Sequence, residues 1–192
     1  MWPLKNNRYK IMNTSVKIII NLFILVVTLQ SCNQDQTLQT FYVDNELAPG
    51  FTSLDVPVSM LQIDEESLTE EQLEAYESIE KLSLIAFVLD GSNKEQMVIE
   101  YAKVQSILKD PKYEELMRGG NSTDGKFVIK CTGDGDRIEE FILFGNSNTS
   151  GFGVIRVLGD DMNFNKIAKL AAVLRESDIE NSQLDKFSNF FK

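Results

Sequence analysis

The chain has 192 residues, 43% of them hydrophobic, with 29 acids against 19 bases and a formal charge of −10. That balance excludes nucleic-acid binding, which needs a basic face for the phosphates. There is no histidine, so Ser-His-Asp and Cys-His catalysis and histidine-ligated zinc or iron are excluded as well.

Residues 1–31 read as a lipoprotein signal peptide. Lys5, Arg8, Lys10 and Lys17 give a basic start, and Ile18 to Leu29 is apolar except for Asn21 and Thr28. A membrane-spanning helix needs about 20 apolar residues, so this run fits an export signal and is too short for a span. Met12 is an alternative start that leaves a more compact leader. Leu29-Gln30-Ser31-Cys32 has the form of a lipobox. It predicts cleavage before Cys32, lipid on that cysteine, and a membrane anchor in the cell envelope. Asn33 follows in place of aspartate, which points to the outer membrane. Cys131 is the other cysteine, so acylation of Cys32 leaves no internal disulfide.

The lipidated N-terminus and a tether are expected over 32–50, since Asn33 to Gly50 is polar with scattered apolar residues. No base falls between Lys17 and Lys81, while twelve acids lie from Asp35 to Glu80. This stretch reads first as a solvated face. The functional alternative is a stand-off from anionic lipid or a face for a basic partner.

Phe51 to Met60 looks extended, with Leu54, Val56 and Val58 alternating. Ser67-Leu68-Thr69-Glu70 has the spacing of a capping box, and Leu73, Tyr76 and Ile79 follow at helical spacing. Leu82 to Leu89 is apolar on both faces and predicts a central strand. Ser92 with Glu95 suggests a second capping box for a helix whose stripe is Met97, Tyr101, Val104 and Leu108, ended by Asp110-Pro111. Tyr113–Arg118, Lys126–Thr132, Arg137–Gly145 and Phe152–Leu158 then form four extended segments with short turns, the pattern of a meander. Asn163 or Asn165 caps a last helix with Phe164, Ile167, Ala168, Ala171 and Leu174 on one stripe. The tail 176–192, with Phe187, Phe190 and Phe191 amid polar residues, either docks as a short helix or frays. The fold expected is one α+β domain over 51–175, a mainly antiparallel sheet of five or six strands with helices packed on it.

The order of these segments resembles a lipoprotein group of Bacteroidetes, the domain-of-unknown-function family numbered 4252. The resemblance rests on the lipobox, on Asp110-Pro111-Lys112-Tyr113-Glu114-Glu115-Leu116-Met117, and on the strands Phe127–Cys131 and Phe141–Phe144. It rests also on Val157-Leu158-Gly159-Asp160 leading into Ile167-Ala168-Lys169-Leu170. It implies a small cell-envelope lipoprotein and brings no catalytic residues with it.

The densest acids are Asp134-Gly135-Asp136 and Glu139-Glu140. They lack the ligand spacing, fixed glycine and closing glutamate of a calcium loop, and Asp-Gly reads more simply as a hairpin turn. Asp160-Asp161 reads as charge near a helix N-terminus. Cys131 alternates with Phe127 and Ile129 and is expected as a small buried hydrophobe. No catalytic residue, cofactor or metal ligand is therefore expected, and the site that stands out is the lipidation site, Cys32. Three functions remain open: a non-catalytic envelope module that engages a protein partner, a carrier of an apolar ligand held between sheet and helices, and a carboxylate-based hydrolase. The module is preferred. Convergent acids would favour the hydrolase, a deep apolar cavity the carrier, and a solid core with an exposed apolar patch the module.

Overall fold

The structure is a computed structural model that describes residues 36–60, 63–134 and 137–176, together with Val16; over 171–176 only the backbone is described. The lipobox with Cys32, the turn residues Gly135 and Asp136, and the tail 177–192 lie outside the described residues. The chain divides into two units, Met1–Gln36 and Thr37–Lys192, and the second holds every element below.

Its first helix, α1 (Leu38–Asn45), lies inside the stretch expected to be a tether. Thr37 and Thr40 cap it reciprocally: the Thr40 N–H donates to Thr37 Oγ1 at 3.1 Å and the Thr37 N–H to Thr40 Oγ1 at 2.9 Å. Leu38 and Phe41 are fully buried, and Tyr42 nearly so. These residues recur at helical spacing, so one face of a polar-looking segment closes onto the core. The folded body thus begins well before Phe51.

Strand β1 (Phe51–Pro57) runs into a short 3-10 turn at Val58–Met60, so the extended stretch ends sooner than expected. Helix α2 (Glu70–Glu77) follows. Its cap is Thr69 with Gln72, two residues on from the predicted box, because Ser67 is held in a 3-10 turn that Asp64 caps. Ile79 opens strand β2 (Ile79–Val88) instead of extending α2. Ser92 does not cap helix α3 (Lys94–Ile107): the Asp90 carboxylate takes the Ser92 and Asn93 N–H groups, and Asn93 stands at the helix start without a side-chain cap bond. The predicted α3 stripe holds, with Val104 fully buried, Leu108 buried, and Met97 and Tyr101 half-buried against the same core.

The meander is present as β3 (Glu114–Asn121), β4 (Gly125–Asp134), β5 (Arg137–Ser147) and β6 (Gly151–Met162). Helix α4 (Phe164–Glu176) is capped by Asn163, whose Oδ1 accepts from the Asn165 and Lys166 N–H groups. Its buried seam is Phe164, Ile167 and Leu170. These repeat every third residue, and Ala168, expected inward, falls outside that seam and is exposed.

All neighbouring strands are antiparallel, in the order β1-β2-β6-β5-β4-β3. The α+β class and the six-stranded sheet are as expected, but the central strands are β6 and β5. Strand β2 is interior, one position from the edge. On one face, Ile85, Phe87, Ile142, Phe144, Phe152 and Val154 pack with α1 and α3. The Phe87 and Phe152 rings stack at 5.8 Å, with Phe51 edge-on to Phe87 at 5.1 Å. On the other face, Cys131, Phe141, Leu82 and Val157 pack with α2 and α4. Lys166 and Lys169 of α4 pair with Glu74 and Glu71 of α2 across the second layer.

Candidate functional site

Helix α3 does not cover the far half of its sheet face. Between its C-terminal half and strands β3–β5 lies an open crevice of about 500 Å³. Tyr101 and Leu108 from α3, with Val128 and Phe144 from the sheet, make its floor. The Tyr101 and Phe144 rings are 5.1 Å apart, and the Tyr101 hydroxyl donates to Asn146 Oδ1 at 3.4 Å. Burial raises the Tyr101 phenol above its ordinary pKa, with a hydrogen bond to Gln105 opposing.

Alternation along β4, with the register shift between Glu115 and Met117 on β3, puts Glu115, Arg118, Lys126 and Lys130 on the crevice side, with Lys109 just past the end of α3. Two of the cations are already engaged. The Lys130 Nζ donates to the Tyr113 carbonyl at 2.8 Å, and Glu115 accepts two bonds from the Arg118 guanidinium. That hydrogen bonding holds the Glu115 carboxyl below its usual pKa. Among the described residues Lys109 and Lys126 form no ion pair. An apolar floor under two free cations suits a ligand that is apolar along its length and anionic at one end. Phe127, 38% exposed, borders the crevice at the β3–β4 edge, while Met117, 46% exposed, stands on the opposite face of the sheet beside Ile129.

A second cluster lies at the β1–β2 side of the same face. Arg156 pairs with Glu140 on the neighbouring strand and donates to Gln39 Oε1 at 2.8 Å, with its guanidinium 5.1 Å over the Tyr42 ring. The Tyr42 hydroxyl donates to the Val154 carbonyl at 2.8 Å and to that of Ser83 at 3.2 Å. Burial keeps the Tyr42 phenol well above its ordinary pKa, outweighing the Arg156 charge that lowers it. These groups tie α1 to the sheet and are satisfied by one another, so the cluster reads as a fastening.

The acids singled out in the sequence do not converge. Asp134 is exposed at the end of β4, opposite Arg137 in the register. Glu139 is exposed where the β5 register shifts, while Glu140 is bound to Arg156. Asp161 takes a left-handed φ of 53° at the end of β6 and lies 3.8 Å from the Arg137 Nε. Asp160 donates its N–H to the Ser78 carbonyl. Both precede the cap residue Asn163. Cys131 is buried, and burial pushes its thiol pKa up. Among the described residues no three His, Cys, Asp or Glu side chains are placed to hold a metal ion, and no helix is long and apolar enough to cross a membrane. The crevice was not foreseen in the sequence. On β4, Lys126, Val128 and Lys130 recur at every second position on one face, a signal that needed the register with β3 and the position of α3 to become a site.

No curated protein and no solved structure matches this chain. One family model does, over residues 42–170, from the second half of α1 to the buried Leu170 of α4. By that match, which takes in the sheet and all four helices in whole or part, the chain belongs to the DUF4252 family, a domain of unknown function.

Proposed function

We propose that this protein is a lipid-anchored module of the cell envelope, held at the outer membrane through Cys32, that binds a protein partner without catalysing a reaction. The observation that supports the binding role is the open crevice beside α3, whose apolar floor lies next to Lys109 and Lys126, neither of them in an ion pair among the described residues. Such a surface fits a partner segment carrying apolar side chains and a carboxylate. The address rests on Leu29-Gln30-Ser31-Cys32. The separation of Glu139, Glu140 and Asp134 speaks against acid–base work by these carboxylates.

The crevice lies between a helix and the sheet, which favours as a second reading the carriage of an apolar ligand with an acidic head. Two measurements test the proposal. Mass spectrometry of the mature N-terminus should find an acylated Cys32; a retained leader or a bare Cys32 overturns the anchor. A photo-reactive side chain at Gln105, which lines the crevice, should cross-link a specific envelope protein, and adding Lys109→Glu/Lys126→Glu should abolish both that product and binding of the partner's isolated segment. Capture unaffected by charge reversal overturns the partner reading. Saturable binding of a fatty acid in place of any partner selects the carrier.

A further inference from the structure

The fastening of α1 to the sheet leaves some of its polar groups over. Asp55, Ser83 and Arg156 stand directly opposite one another on β1, β2 and β6. The next two rows on the same face pair Ile85 with Val154 and Phe87 with Phe152, all four in the core. Ser83 and Arg156 are 2% and 6% exposed, and polar side chains buried this deeply are the informative departure from an apolar interior. The flank of α1 and this row bound a recess of about 300 Å³, which Lys81, Tyr42 and Glu46 also line. The Arg156 Nε donates to Glu140 and Nη1 to Gln39, while among the described residues Nη2 has no hydrogen-bond partner. It is not among the atoms sealed from solvent, so this donor stays open to an acceptor that enters the recess.

We propose that this recess binds a small zwitterion of the free amino-acid class, its carboxylate taken by Arg156 Nη2 and Lys81 and its ammonium by Asp55. Cations and anions on the walls are matched, Arg156 and Lys81 against Asp55 and Glu46. That balance suits a ligand bearing both signs better than a simple anion or cation. A guanidinium edge fits a carboxylate in geometry as well as charge. Lys81 and Asp55 pair with each other at 3.1 Å, with side chains 40% and 59% exposed. An exposed pair of this kind contributes little, so it opens at small cost to a ligand that offers each member a new partner. Burial works against the Asp55 charge, but hydrogen bonds from Ser83 and Lys81 hold its carboxyl below the usual pKa. The volume lies at the low end for small-molecule sites and suits a ligand of this size. The recess is independent of the anchor at Cys32 and of the crevice, which lies over β3–β5.

The test uses the full mature chain, isotope-labelled for NMR and titrated with the common α-amino acids one at a time. At least one should saturate with a dissociation constant of about 1 mM or tighter, shifting the Ser83 amide and the Arg156 Nε resonance. Propionate and propylamine each carry one of the two charges and should bind at least about tenfold more weakly. Lys81→Gln and Asp55→Asn change exposed side chains, so each should keep the parent's melting curve while weakening binding at least about tenfold. Four results would each overturn the proposal: no saturable binding by any amino acid, propionate or propylamine binding as tightly as the amino acids, an affinity unchanged in either variant, or shifts confined to the crevice around Lys109 and Lys126.

Discussion

Arg156 and Glu140 meet on adjacent antiparallel strands with side chains only 7% and 12% exposed, a charge pair taken almost wholly out of water. Truncating one member leaves the other buried and unpaired, which costs about 3–5 kcal/mol, whereas replacing both with apolar residues is often neutral. Glu140→Ala should therefore destabilise the protein strongly in urea, and Glu140→Leu/Arg156→Met should recover most of the loss. A double variant no more stable than Glu140→Ala would show that the pair is needed for more than mutual neutralisation.

Tyr42 predicts an alkaline limit to stability. The folded state keeps a phenolic proton that the unfolded chain releases near about pH 10. The folded form binds more protons above that pH, so stability is full below it and falls as pH rises through it. Tyr42→Phe should flatten this limb in melts from pH 8 to 11, and should cost about 1 kcal/mol at neutral pH through the lost hydroxyl bond. An unchanged alkaline slope would contradict the assignment.

The core on the α1–α3 side of the sheet predicts a strong response to a buried charge. Ile85 and Phe87 are fully buried on the α1–α3 side, so Ile85→Asp or Phe87→Asp should each cost above about 4 kcal/mol. Circular dichroism melts that match the parent would refute the core placement.

Cys131 should behave as a hydrophobe. It is 6% exposed and its thiol pKa is raised by burial, so a maleimide should label it slowly in the native protein and rapidly in urea. Cys131→Ala should be milder than the charge substitutions, since it removes a single sulfur from the core. Equal labelling rates in the two states would contradict its burial.

The sequence made the meander readable because each of its strands alternates over a short run between glycine, asparagine or aspartate turns. The α3 stripe was equally plain. Helix α1 was hidden because Leu38, Phe41 and Tyr42 are interleaved with polar residues, and the Thr37–Thr40 cap lacks the glutamate that marks the usual box. Local competition displaced the other two caps, through Asp64 ahead of Ser67 and Asp90 ahead of Ser92. The pairing of Arg156 with Glu140, and of the lysines with the aromatic floor, depends on strand register and on where α3 lies. Periodicity within one segment carries neither.

The strand order has a kinetic consequence. Strands β3 to β6 join through consecutive hairpins, so that four of the six strands close from neighbouring residues. Strand β2 pairs with β6 only after a long loop has closed, and the Tyr42 bond to Val154 joins positions 112 apart. Loop closure must precede the reward of such contacts. The meander is therefore expected to serve as the nucleus, with β1, β2 and α1 condensing onto β6 late. In stopped-flow experiments, substitutions at Ile142 or Phe144 should slow refolding, while Tyr42→Phe should mainly speed unfolding. The reverse pattern would place the nucleus in the N-terminal half and make α1, the helix concealed in the tether, the element on which the sheet is built.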